Sequence, residues 1–175
     1  RMRADVIVFV GGVPLAQAPL IGARCGIGEQ GLARRVVVLG AATDDDAERH
    51  ALAAWSAASV EVQSLPLQDG DLFTTIALLS APRPPAPWAA LAEQLRAARY
   101  AVLIGSAARL PAQGALIVEA VNRIVGRLNQ STRAAALWVG SATAQHTFAW
   151  LSGLPLRSQC GTALQHEPHL FDTRR

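Results

Sequence analysis

The sequence predicts an α/β fold: a Rossmann-like parallel sheet flanked by helices, made of two βαβ-type halves. Three observations predict it. Residues 100–153 read in order as strand, glycine turn, amphipathic helix, strand, glycine turn and helix. The runs VIVFVGG, VVVLGAA, AVLIGSA and ALWVGSA are apolar throughout and end in glycine and small residues, as strands buried on both faces of a parallel sheet do. A proline-rich stretch, residues 82–87, divides these runs two and two, which reads as an internal βα duplication. The predicted organisation is a first half over residues 1–81, a stiff extended connector over 82–87, and a second half with a C-terminal tail over 88–175. The halves form one compact unit, and the Arg1-Met2-Arg3 start suggests part of a longer chain.

In chain order, Asp5–Val10 is a strand that ends in the turn Gly11-Gly12-Val13-Pro14, where proline prevents simple continuation. Residues 26–31 (GIGEQG) match the letters of a dinucleotide fingerprint, but no strand feeds into them and one follows. The fingerprint works only at a strand-to-helix turn, so these residues read as a structural loop. Arg35–Leu39 is the next buried strand. Residues 43–46 (TDDD) supply an N-cap and acidic first turn for a helix to about Trp55, and read as a solvated helix start instead of a metal site. Val60–Leu65 is a short alternating strand and Leu72–Leu79 a helix.

Beyond the connector, Trp88, Leu91 and Leu95 line one face of a helix, with Glu93 and Arg96 spaced to pair on another. Tyr100–Ile104 is a strand stopping at Gly105-Ser106. From Leu116 a helix carries the stripe Ile117, Val121, Ile124 and Leu128, widened by Val118 and Val125, and ends at Asn129–Thr132. Ala134–Val139 is a strand closing at Gly140-Ser141, and Ala142–Leu151 starts another helix. Parallel strands joined this way need right-handed crossovers.

Composition excludes several classes of function. With 51% hydrophobic residues in 175, the chain can bury a core, and only 17% charged residues suggests apolar surface reserved for a partner. All 16 basic residues are arginine, spread along the chain at a net charge of +3, which does not indicate nucleic-acid binding. No apolar run is long enough to span a membrane and no signal-peptide core follows the start, so a cytoplasmic location is expected. Two cysteines, Cys25 and Cys160, are too few for a disulfide framework and read as reduced. Cys160, His166 and His169 lack a clear fourth ligand and read as loop residues, and His146 as an ordinary helix residue without a nucleophile in elbow context. No catalytic and no metal-binding residue is assigned.

The segments VIVFVGGVP, AVLIGSAAR, AVNRIVGRLNQST and TFAWLSGLP resemble the B-type subunit of the formylmethanofuran dehydrogenase family, above all its relative in the bacterial formyltransferase/hydrolase complex. In the dehydrogenases that subunit carries a bis-pterin metal centre and an iron–sulfur cluster, with glycine-ended strands against the guanosine parts of the cofactor. The resemblance puts the corresponding site near Gly11, Gly12, Val13, Gly105 and Gly140. It also implies that the site is degenerate. Val13 stands where the family turn has asparagine, residues 20–32 are shortened and glycine-rich, and no cysteine cluster is present. The resemblance therefore implies a structural subunit with no cofactor of its own, in tetrahydromethanopterin-linked one-carbon metabolism that oxidises formaldehyde to formate. Its partners would be a hydrolase subunit holding a zinc-type metal and a methanofuran analogue, a formyltransferase subunit and a further structural subunit. The alternative is a molybdopterin-guanine-dinucleotide-binding domain of an active formylmethanofuran or formate oxidoreductase.

Overall fold

The computed structural model describes residues 4–29, 34–41, 45–58 and 60–140. Five strands form one parallel sheet: β1 (Val6–Val10), β2 (Arg35–Leu39), β3 (Glu61–Leu65), β4 (Tyr100–Ser106) and β5 (Arg133–Val139), ordered β3-β2-β1-β4-β5. The expected α/β class is therefore observed. β1 lies at the centre, paired Val8 to Val37 on one side and Val8 to Leu103 on the other, so the two sequence halves share one sheet. Val36–Leu39 and Ala101–Ser106 are all buried, as runs covered on both faces must be.

Alternation along the strands sorts two cores. Val6, Val8, Val10, Leu103 and Ala134 face α3 (Leu72–Leu79), α4 (Trp88–Ala97) and α5 (Gly114–Leu128). Ile7, Phe9, Val36, Val38 and Ile104 face α1 (Ile21–Cys25) and α2 (Asp46–Ala57), where the Trp55 ring stacks on Phe9 at 5.8 Å. Each fully buried side chain of this size contributes about 1.5–3 kcal/mol of hydrophobic stabilisation. Helices fall on the face that right-handed crossovers dictate: α1 and α2 lead from β1 outward to β3, while α5 leads the other way from β4 to β5.

Most elements follow their sequence signals. The stripe of α5 is buried at Ile117, Val121, Ile124 and Leu128, with Val118 and Val125 half-buried. In α4, Trp88, Leu91 and Leu95 are buried and Arg96 pairs with Glu93 at 2.7 Å. Asp45 caps α2 by accepting the Glu48 N–H, and Asp71 caps α3 by accepting the Thr74 N–H at 2.6 Å.

Three details differ. Ile21–Cys25, in the glycine-rich stretch of residues 20–32 to which the sequence assigns no helix, is a short helix closed by Gly26 at φ +67°. The connector is not extended: it bends at residues 81–83 and turns at 86–87, because α3 and α4 pack side by side and the chain must reverse between them. β4 does not stop at Gly105 but runs through Ser106, paired to Trp138 and Val139 of β5. The predicted helix at Ala142–Leu151, the residues His146, Cys160, His166 and His169, and the cap residues Thr43 and Asp44 lie outside the described residues.

Candidate functional site

In an open parallel sheet, ligands bind beyond the carboxyl ends of the strands, where the direction of winding reverses. Here that place lies between β1 and β4. It is built by Gly11, Gly12 and Val13 after β1, by Ser106 at the end of β4 and Ala107–Arg109 after it, and by the first turn of α2.

Gly11 and Gly12 take φ of +77° and +88°, a left-handed pair that only glycine adopts readily, and turn the backbone back on itself. Both N–H groups consequently point inward and donate to the Leu39 carbonyl, each at 3.0 Å. The next donor, Val13 N–H, is taken at 2.8 Å by Oε1 of Glu48, a fully buried side chain. Glu48 sits three residues after the Asp45 cap. From there its carboxylate reaches across to the β1 turn.

Arg109 completes the bridge. Its Nη1 donates to the Val13 carbonyl at 2.9 Å, and its Nη2 lies 3.8 Å from Glu48 Oε2. The two side chains press on the turn closely enough that a Cβ at Gly12 would stand 2.8 Å from Arg109 Nη2 and 3.0 Å from Glu48 Oε2. The second glycine of the turn thus leaves room for the chain's own ion pair. Val13 points its side chain into the core at 1% exposure. Ser106 is buried nearby at the end of β4, and its Oγ has no hydrogen-bond partner among the described residues.

The donors of this turn are arranged differently from those of a phosphate cradle. A cradle needs outward-facing N–H donors and no competing anion. Here three consecutive N–H groups are spent internally, and a phosphate reaching them would meet the Glu48 carboxylate. At this turn the three donors are therefore already taken within the chain.

The remaining site residues from the sequence are placed elsewhere. Gly105 lies inside β4, where a Cβ would come 2.3 Å from Cζ3 of the Trp138 ring, so it accommodates packing and does not mark a strand end as expected. Gly140, at φ +67°, does close β5, and a Cβ there would meet Gln17 Cβ at 2.2 Å. The fold brings Gly11, Gly12 and Val13 together but does not draw Gly105 and Gly140 into their turn. Sequence reasoning missed Glu48 and Arg109. Glu48 carried one signal, its position three residues after an aspartate cap, which also fits an ordinary exposed cap residue.

In the fingerprint-like segment, Gly26 and Gly28 lie between α1 and β2 with positive φ, not at a strand-to-helix turn. Cys25 is a buried free thiol, and burial pushes its pKa up against the opposing charge of Arg34. At the amino ends of the strands, a groove of about 440 Å³ lined by Asp5, Arg34, Arg35 and Glu61 is balanced in charge, with Arg35 bonded to Glu61 at 2.8 Å. Burial works to raise the pKa of Asp5, but hydrogen bonds and charge from Arg99 outweigh it and hold the carboxyl below its usual value. Among the described residues no group of histidine, cysteine and carboxylate side chains could hold a metal, and no helix is long and apolar enough to cross a membrane.

No protein-family model matches the chain, and no curated protein matches it. Among solved structures, it is similar to a chain in the crystal structure of the formyltransferase/hydrolase complex (FhcABCD) from Methylorubrum extorquens in complex with methylofuran, with a TM-score of 0.54 and 24% identity. The likeness covers 86% of this chain and 42% of that one, so this chain spans less than half the length of its structural neighbour. At this identity, what the two are shown to share is the fold.

Proposed function

We propose that this chain is a structural, non-catalytic subunit of a formyltransferase/hydrolase complex, related to the B-type subunit of formylmethanofuran dehydrogenase, in which the pterin-nucleotide site has been replaced by internal contacts. The observation that carries the reading is the Glu48–Arg109 bridge over the β1 turn: Glu48 takes the Val13 N–H and Arg109 the Val13 carbonyl, at the place where a cofactor phosphate would approach. Support also comes from the fold likeness to a chain of such a complex. In this reading formyl transfer and formate release occur on partner subunits, a metal and a methanofuran analogue belong to the hydrolase partner, and this chain holds its partners in place.

The test is purification of the chain from its source under native conditions. The co-purifying material is assayed for formate release from a formylated methanofuran analogue and analysed for molybdenum and tungsten. The reading expects formate release and neither metal. Stoichiometric molybdenum or tungsten with a bound pterin would instead establish the oxidoreductase alternative.

A further inference from the structure

Between β3 and α3 the chain makes a short turn at Gln68–Gly70, and in it stands the only non-glycine residue with positive φ among the described residues: Asp69, at φ 52° and ψ 27°. A side chain crowds the backbone at these angles, so the closed turn is held against a local preference to open. Gly70 follows at φ +70°, and a Cβ there would meet nothing within 4 Å. Both residues are exposed. The Asp69 carboxylate accepts from Gln68 Nε2 at 3.1 Å in an exposed contact, and the Gly70 N–H donates to the Leu67 carbonyl at 3.3 Å. Asp69 is the only aspartate in the chain followed by glycine, and neither asparagine is.

An aspartyl–glycyl bond rearranges where the carboxyl is accessible, the next N–H has no side chain beside it and the backbone is weakly tied. All three conditions meet here. We propose that Asp69-Gly70 is a modification site at which the folded chain converts slowly to isoaspartate. The Gly70 nitrogen attacks Asp69 Cγ: an N–Cγ bond forms, the C–OH bond of the protonated carboxyl breaks, and the amide hydrogen leaves with the hydroxyl as one water. Water then opens the five-membered imide at the Asp69 backbone carbonyl. Its hydroxyl adds to that carbon, its proton returns to the nitrogen, and the chain runs on through the side-chain carbonyl. Nothing is oxidised or reduced, and the net mass is unchanged.

The ring needs the Gly70 nitrogen eclipsed with Asp69 Cβ, which a ψ of 27° does not give, so the turn must open first. The contacts that give way are Gly70 N–H to Leu67 and the Asp71 N–H to the Gln68 carbonyl at 2.9 Å. Isoaspartate then places an extra methylene in the backbone between Gln68 and Asp71. Asp71 caps α3 through the Thr74 N–H, and its carbonyl accepts the Thr75 hydroxyl at 2.8 Å, so the first turn of α3 loosens with the change.

The test ages the full folded chain at neutral pH in heavy-oxygen water, then digests it and locates isoaspartate by electron-transfer fragmentation. Isoaspartate is expected at position 69 carrying one heavy oxygen, with faster amide exchange at Thr74 in the aged fraction. Asp69→Gly, which suits the left-handed backbone and keeps the turn, should lose both signals. Aspartate that persists at position 69 in the aged folded chain overturns the proposal, whether or not the unfolded chain isomerises there. So does heavy oxygen entering other aspartates as fast as Asp69, because the turn would then confer nothing.

Discussion

Replacing Glu48 by alanine tests the internal wiring of the switch point. The substitution strips the Val13 N–H of its acceptor, removes the neighbour of Arg109, and leaves a void at a fully buried position. Two magnitudes compete. Breaking a tight buried ion pair costs about 3–5 kcal/mol, whereas leaving one buried donor unsatisfied costs about 1–3 kcal/mol. The contact of 3.8 Å is long for an ion pair, and the Arg109 side chain is 30% exposed and can hydrate, so the smaller figure applies. Glu48→Ala should therefore lose about 1–3 kcal/mol in urea unfolding followed by circular dichroism, and each kcal/mol should lower Tm by about 2–4 °C in a chain of this size. Glu48→Gln keeps the volume and an oxygen acceptor for Val13 and should lose less than about 1 kcal/mol. A Glu48→Ala variant within about 0.5 kcal/mol of the unsubstituted chain, the range of an ordinary surface change, would refute the bridge as a stabilising junction. So would a Glu48→Gln variant as unstable as Glu48→Ala.

Gly105→Ala should destabilise by about 1–3 kcal/mol, because its Cβ meets the Trp138 ring at 2.3 Å. Combining it with Trp138→Leu should cost less than the two changes summed, and strict additivity in urea unfolding would show that the two sites do not touch. The Asp71 carboxyl is held below its usual pKa by its hydrogen bonds to Thr74, so its contribution is present above about pH 4, where an unfolded aspartate titrates, and is lost as pH falls through the folded value. Asp71→Ala should flatten the acid limb of the stability curve, and an unchanged limb in acid titration contradicts the cap. Cys25 has its pKa raised by burial, so it adds stability below about pH 8.5 that fades as pH rises further. In a Cys160→Ser background the native thiol should resist iodoacetamide at pH 8 and react on unfolding, and mass spectrometry showing rapid native alkylation would disprove its burial.

Much of the fold could be read directly because its signals are local. The strands Val6–Val10, Arg35–Leu39 and Tyr100–Ile104 are unbroken apolar runs, a pattern that burial on both faces requires, and α5 repeats its apolar residues at helical spacing across four turns. What could not be read depends on distant partners. Gly105 looks like a terminator in isolation, and its place inside β4 is explained by a tryptophan on the neighbouring strand. The Ile21–Cys25 helix is a single short turn with glycine inside and after it, below any periodicity signal. Within the candidate site, Gly11, Gly12 and Val13 were legible as a tight turn, since paired glycines before proline have few other uses. The side chains that fill that turn come from α2 and from beyond β4, and no spacing rule links positions 13, 48 and 109.

The central claim is that this chain joins enzyme subunits without doing chemistry itself. Its most direct test is to produce the formyltransferase/hydrolase subunits of the source with and without this chain and measure both assembly and formate release. The account predicts that omission abolishes recovery of the assembled complex and lowers formate release with it. An intact complex with undiminished activity in the chain's absence would contradict it.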